Sequence, residues 1–227
     1  MSSQPLAIVV GAGPGLGQAL MRRFEKGGYK AIGFVRSSPS ANNDLDIRQL
    51  NFSQAEDTKA EIVSLIEEYG PPKVVIHNTA NLVIAPFLET RLSDYEDTWR
   101  CMFLSAVTLA QAVIQPMMRG GGGAFLVTGA TASLRGGARF SAFASAKFAL
   151  RGLTQSLARE YQSSGIHVAH FILDGIIDTE ASRELHSLDP SRMMKTEDIA
   201  ENYWHIAHQA NSAWSHEIDL RPQSENF

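Results

Sequence analysis

A single cysteine, Cys101, occurs in the 227 residues, so no intramolecular disulfide can form. It lies in an apolar helical run, where a thiol reads as packing rather than as a nucleophile. Positive charge is not in excess either: 20 Lys and Arg face 24 Asp and Glu, a formal net charge of −4. That excludes the broad basic field on which nucleic-acid binding rests. No apolar run reaches about 18 residues. Met1-Ser2-Ser3-Gln4-Pro5 leads directly into a short apolar segment, without a basic stretch and a cleavable hydrophobic one. The expectation is a soluble cytoplasmic protein with no membrane partner. His167, His170, His205, His208 and His216 have no ligand spacing with a cysteine, so no metal is expected. Internal repeats and long low-complexity tracts are absent.

What is present is an alternation of short apolar runs and amphipathic segments, in a chain 44% hydrophobic and 19% charged. This length and pattern suit one α/β domain over residues 1–227, with a parallel sheet wrapped by helices. Strands are predicted at 6–10, 31–35, 46–50, 74–77, 124–128 and 167–173, with an edge strand at 218–220. Helices are predicted near 15–26 and at 55–69, 93–118, 141–162 and 196–209. Gly70-Pro71-Pro72 stops the second helix. Ser93 with Glu96 reads as the N-cap of the third, and Thr196 as that of the last. Residues 36–43 leave no room for a crossover helix, so a loop or single turn is expected there, and 180–195 read as a short variable segment.

The turn after the first strand carries the first chemical signal. Val10-Gly11-Ala12-Gly13-Pro14-Gly15-Leu16-Gly17 follows a strand and opens a helix. Glycine permits the tight turn and lets the backbone approach a pyrophosphate, which rests on the unpaired amides of the helix N-terminus. The second strand ends in Phe34-Val35-Arg36, whose guanidinium suits a 2′-phosphate, so NADP is preferred over NAD. Further along stand Asn51-Phe52-Ser53, His77-Asn78-Thr79-Ala80, Phe143-Ala144-Ser145-Ala146-Lys147 and Asp174-Gly175-Ile176-Ile177-Asp178-Thr179.

In this order and context the motifs resemble those of the short-chain dehydrogenase/reductase family, over about residues 5–180. The resemblance implies a three-layer Rossmann fold with a doubly wound parallel sheet, and hydride transfer between NAD(P) and a small carbonyl or alcohol. It implies a cofactor site built from Gly11, Gly15, Leu16, Gly17, Arg36, Asn51, Asn78, Lys147 and Thr179. Gly11, Gly15 and Gly17 match the family's glycine spacing, and Val35 stands where an NAD-selective aspartate would be. By the same resemblance Asn51 meets the adenine amino group, Thr179 the nicotinamide carboxamide, and Lys147 the nicotinamide ribose. His77 reads as a satisfied strand-end histidine.

The reacting end departs from the family's pattern. Phe143 stands at the proton-donating tyrosine, four residues before Lys147 on the same helix face. Ala130, thirteen residues before Phe143, stands at the carbonyl-polarising serine. Met102, seven after Tyr95, stands at the asparagine of the proton relay. Phenylalanine has no proton to give at any pH. Thr131, Ser133 and Asp174 are candidate substitutes, with Thr128, Ser141 and Asp178 near them. Arg135 and Arg139 are candidates to bind an anionic substrate or an oxyanion. Three readings follow: an atypical NADP-dependent oxidoreductase, a dinucleotide-binding protein without redox turnover, and an isomerase, lyase or cyclase using the same pocket. The helices at 93–118 and 141–162 correspond to those of the family's four-helix dimer interface. Leu104, Val107, Leu109, Val113, Leu150, Leu153 and Leu157 give them apolar surface for a homodimer or homotetramer.

Overall fold

The short apolar runs become strands β1 (Leu6–Val10), β2 (Lys30–Val35), β3 (Ile47–Gln49), β4 (Val74–His77), β5 (Gly123–Thr128), β6 (Ile166–Leu173) and β7 (Glu217–Leu220). They pair in parallel as one sheet in the order β3-β2-β1-β4-β5-β6-β7. The computed structural model describes residues 4–38, 44–52 and 54–224, so part of the loop expected at 36–43, and Ser53, lie outside the described residues. Strands β1, β4 and β6 are buried along their whole length, which explains why they are continuously apolar rather than alternating. The strand order reverses between β1 and β4, and the crevice at their carboxyl ends is where this architecture holds ligands.

The helices are α1 (Leu16–Lys26), α2 (Ala55–Tyr69), α3 (Leu92–Thr98), α4 (Ser105–Arg119), α5 (Ser141–Tyr161), α6 (Glu180–Leu185) and α7 (Thr196–Ala207). Leu20, Met21 and Phe24 of α1 and Tyr203 of α7 bury against one face of the sheet. Ile62 of α2, Leu109 and Val113 of α4 and Leu150 of α5 bury against the other. Tyr203 is fully buried, shares a hydrogen bond with Thr128 at 2.7 Å and stacks on Phe171, and burial pushes its phenol pKa up.

The single helix predicted at 93–118 is divided. A π-helical segment, Trp99–Leu104, joins α3 to α4. The wider turn sends Met102 into the core, fully buried, while Cys101 faces the crevice. Its start is also set differently from the Ser93 cap: Asp94 accepts the Arg91 backbone N–H at 2.9 Å, so Arg91 is the cap position. The composite stretch Leu92–Arg119 is long and apolar enough by length and composition to cross a membrane, contrary to the expectation of no such run, and half of its most apolar window is buried in the fold. Leu109, Val113 and Leu150 point inward and Leu153 and Leu157 pack against the core, so of the predicted surface leucines only Leu104 counts as exposed, beside Trp99 and Phe148. Lys195 rather than Thr196 takes the cap position of α7, and Thr196 is its buried first residue. Residues 180–195 hold α6, whose cap is Thr179: its Oγ1 accepts the Ser182 N–H at 3.1 Å.

Candidate cofactor and substrate cavity

A cavity of about 850 Å³ opens where β1, β4, β5 and β6 end. The glycine turn, Arg36 and Asn51 line one end, and Ala130, Thr131, Arg135 and Phe143 line the other. The cofactor residues expected from sequence are brought together here: Gly11, Leu16, Gly17, Arg36, Asn51, Asn78, Lys147 and Thr179 all lie on its wall.

The glycines of the turn do different work. A Cβ on Gly11, at φ +91, would stand 2.3 Å from the Asn78 carbonyl oxygen, and one on Gly17 would stand 2.2 Å from that of Gly11. Asn78 binds the two turns together, donating from Nδ2 to the Gly11 carbonyl at 3.0 Å. Gly15, at φ +98, lies behind the wall with Thr179 Cγ2 against it. At Gly13 a Cβ would meet nothing within 4 Å, yet Gly13 lines the cavity. That space opens into the cavity, a feature that spacing in the sequence does not reveal. Helix α1 has no side-chain cap and no acid in its first turn, so its leading amides suit an anion. The glycine cradle and this helix end fit a dinucleotide pyrophosphate.

At the other end Lys147 is 2% exposed. Its Nζ donates to the Thr128 carbonyl at 2.7 Å and approaches that of Thr79 at 3.5 Å. No carboxylate pairs with it among the described residues, and burial lowers its pKa to about 8. The Phe143 ring packs on the core with its centroid 5.6 Å from the ammonium, a cation–π distance. Behind the amine lie two buried imidazoles. His77 bonds Ser105 Oγ at 2.8 Å and His170 bonds Ser133 Oγ at 3.0 Å. Desolvation, with the Lys147 charge, brings both pKa values down to about 3, so both are neutral. His77 is a strand-end residue bonded through Nε2 only; its Nδ1 is buried without a hydrogen-bond partner among the described residues, so it is not the fully satisfied histidine expected. The Cys101 thiol lines the cavity, and burial pushes its pKa up.

The remaining candidates separate sharply. Ala130, in extended backbone, and Thr131 are on the wall. Ser133, fully buried, is behind it: its hydroxyl accepts the Ala130 N–H at 3.2 Å and bonds His170, so it is turned from any substrate. Met102 fills the core rather than facing the relay. Asp174 is also off the wall, accepting the Thr131 hydroxyl and pairing with Arg221 at 3.2 Å. Asp178 is paired with Arg183, and Ser141 with the Tyr95 hydroxyl. Arg139 has a left-handed backbone, φ 71, and does not line the cavity. Leu82 and Ile84, in the apolar stretch after β4, and His186 line it without having been singled out from sequence.

Comparison with known proteins agrees with this geometry. The profile described as short chain dehydrogenase matches residues 5–189. The 3-oxoacyl-(acyl-carrier-protein) reductase FabG of Vibrio cholerae is 26% identical over 188 residues, covering 80% of this chain and 77% of that protein. The crystal structure of a short-chain dehydrogenase from Rhodopseudomonas palustris superposes with a TM-score of 0.79 at 29% identity, covering 96% of this chain and 98% of the other. ElxO with NADP bound superposes with a TM-score of 0.86 at 20% identity, covering 96% and 97%, a likeness of fold.

Proposed function

Because the chain belongs to the short-chain dehydrogenase family, we propose that all 227 residues form one dinucleotide-binding unit, an NADP-dependent oxidoreductase acting on a small carbonyl or alcohol with a non-standard proton donor. The observation that carries this is Lys147, a buried amine on the cavity wall whose ammonium donates to two backbone carbonyls. When bound, the nicotinamide would supply or accept the hydride. Gly11, Leu16 and Gly17 would hold its pyrophosphate, Arg36 a 2′-phosphate, Asn51 the adenine end, and Thr179 and Lys147 the nicotinamide end. No acidic residue occupies the Val35 position, which supports NADP over NAD.

With phenylalanine at 143, two polar groups remain where the proton must move. Lys147 exchanges its proton near neutral pH, as a general acid or base should. Thr131 carries a hydroxyl on the wall that can turn from Asp174 toward a substrate oxygen. The absence of a hydroxyl at 143 and 130 and the burial of Met102 favour a second reading, dinucleotide binding without turnover. A cytoplasmic homodimer or homotetramer is part of the first reading, supported by the exposed Trp99, Leu104 and Phe148.

Titration with NADPH and NADH, followed by a panel of aldehydes, ketones and alcohols, tests both. We expect tighter NADPH binding that weakens in Arg36→Ala, and slow turnover lost in Lys147→Met. Binding without turnover across a broad panel would sink the oxidoreductase reading and leave the second.

A further inference from the structure

We propose that the substrate half of the cavity takes an anionic substrate with an apolar body, a carboxylate or its equivalent, with Arg135 receiving the charge. The charge inventory of the wall points there. The described lining residues include Arg36, Arg135 and Lys147 but no aspartate or glutamate, in a chain with 24 acidic residues and a net charge of −4. A concave, largely apolar wall with one sign of charge focuses its potential on the ligand.

Two of the cations are engaged on the reading above. Arg36 lies at the dinucleotide end, and Lys147 points at the Thr128 and Thr79 carbonyls. Arg135 differs. Its backbone is fixed, its N–H donating to the Thr131 carbonyl at 3.1 Å. Its side chain is 65% exposed and makes only a long ion pair with Asp174, at 3.9 Å, beyond hydrogen-bond reach. That carboxylate is already served by the Thr131 hydroxyl and by Arg221. A guanidinium with an anchored backbone and uncommitted donors matches a carboxylate bidentately. Leu82, Ile84, Phe140 and Phe143 on the wall make room for hydrocarbon beside it.

The inference rests on assigning the Arg36 end to the dinucleotide, so the experiment separates the two. Octanoate, octanol, methyl octanoate and octylamine are titrated calorimetrically into the full-length protein, with and without saturating NADP. Failure of NADP to bind overturns the cofactor reading alone, since the titrations without it still decide this one. We expect octanoate to bind at least about tenfold more tightly than the alcohol or ester, as for one charge-assisted contact. Arg135→Ala should abolish that preference, Arg135→Glu should invert it toward octylamine, and Arg36→Ala should leave it intact. Equal affinities for octanoate and octanol, no octanoate binding, or a preference that survives Arg135→Ala or vanishes in Arg36→Ala would each overturn the proposal.

Discussion

The ammonium of Lys147 lies 2.7 Å from the Thr128 carbonyl oxygen, and no carboxylate among the described residues compensates its charge. The cost appears in stability. The folded pKa is lowered to about 8, against 10.5 for the unfolded side chain. Between these values the unfolded chain binds more protons, so stability rises as pH climbs through that window, and the full penalty is present below it. Lys147→Met should therefore stabilise the protein at pH 7 by about 1–3 kcal/mol, read as a higher urea midpoint at unchanged m. The advantage should shrink toward pH 10.5. A variant that is less stable at pH 7 would contradict the account.

Phe143→Tyr places a phenol beside the same ammonium. Positioned general acids contribute about a hundredfold or more, but on the proposed reading Ala130 and the buried Met102 supply no donor beside it. An increase in kcat for carbonyl reduction of at least about tenfold is expected, with a phenol that titrates below its ordinary value in an absorbance titration. An ordinary phenol titration together with unchanged kcat would show that position 143 does not face the reacting atoms.

The glycine turn separates fold from ligand. Gly13→Ala should leave the melting temperature within about 1 °C, since nothing in the protein meets the new methyl, while weakening NADPH binding. Gly15→Ala forces a side chain into a left-handed backbone and against Thr179, and should cost about 1–3 kcal/mol. The reverse ranking in thermal melts and cofactor titrations would refute this division.

Acid should unfold the protein through its interior. His77 and His170 sit at about 3 when folded and 6.5 when unfolded, so their contribution is present above pH 6.5 and is lost as pH falls toward 3. Each should steepen the loss by up to about 1.4 kcal/mol per pH unit. Urea melts between pH 6.5 and 5.5, above the range where most carboxyls titrate, report the buried histidines together, His167 with its burial-lowered pKa included. His170→Gln should make the slope shallower, and an unchanged slope would show that His170 is not the group responsible.

The strand-turn-helix at Leu6–Lys26 was legible because its glycine spacing, apolar run and helix start all report the same local geometry. The sheet followed from continuously apolar strands. The π-helical segment was not legible: nothing in the spacing of Trp99–Leu104 marks the wider turn, which packs against α5. Spacing alone likewise did not tell that Met102 fills the core while Cys101, also buried, borders the cavity. Thr131 and Ser133 are two residues apart with similar hydroxyls, and the tight turn that puts one on the wall and the other under His170 is a tertiary fact. Thr196 and Lys195 differ by one position at the start of α7, and the backbone there makes Lys195 the cap and Thr196 the buried first residue.

On the proposal that Phe143, Ala130 and Met102 stand at the family's tyrosine, serine and asparagine, Met102 sets the terms on which this chain could gain a proton relay. An asparagine there would bring an amide into a dry interior, where an unpartnered polar group costs about 1–3 kcal/mol before any catalytic benefit appears. The tyrosine and the serine would have to return at separate places on the wall. Each single reversion alone leaves the relay incomplete, and the one at 102 is uphill. The packing beneath the π-helical turn therefore acts as a ratchet: it holds the chain to whatever chemistry the altered cavity supports.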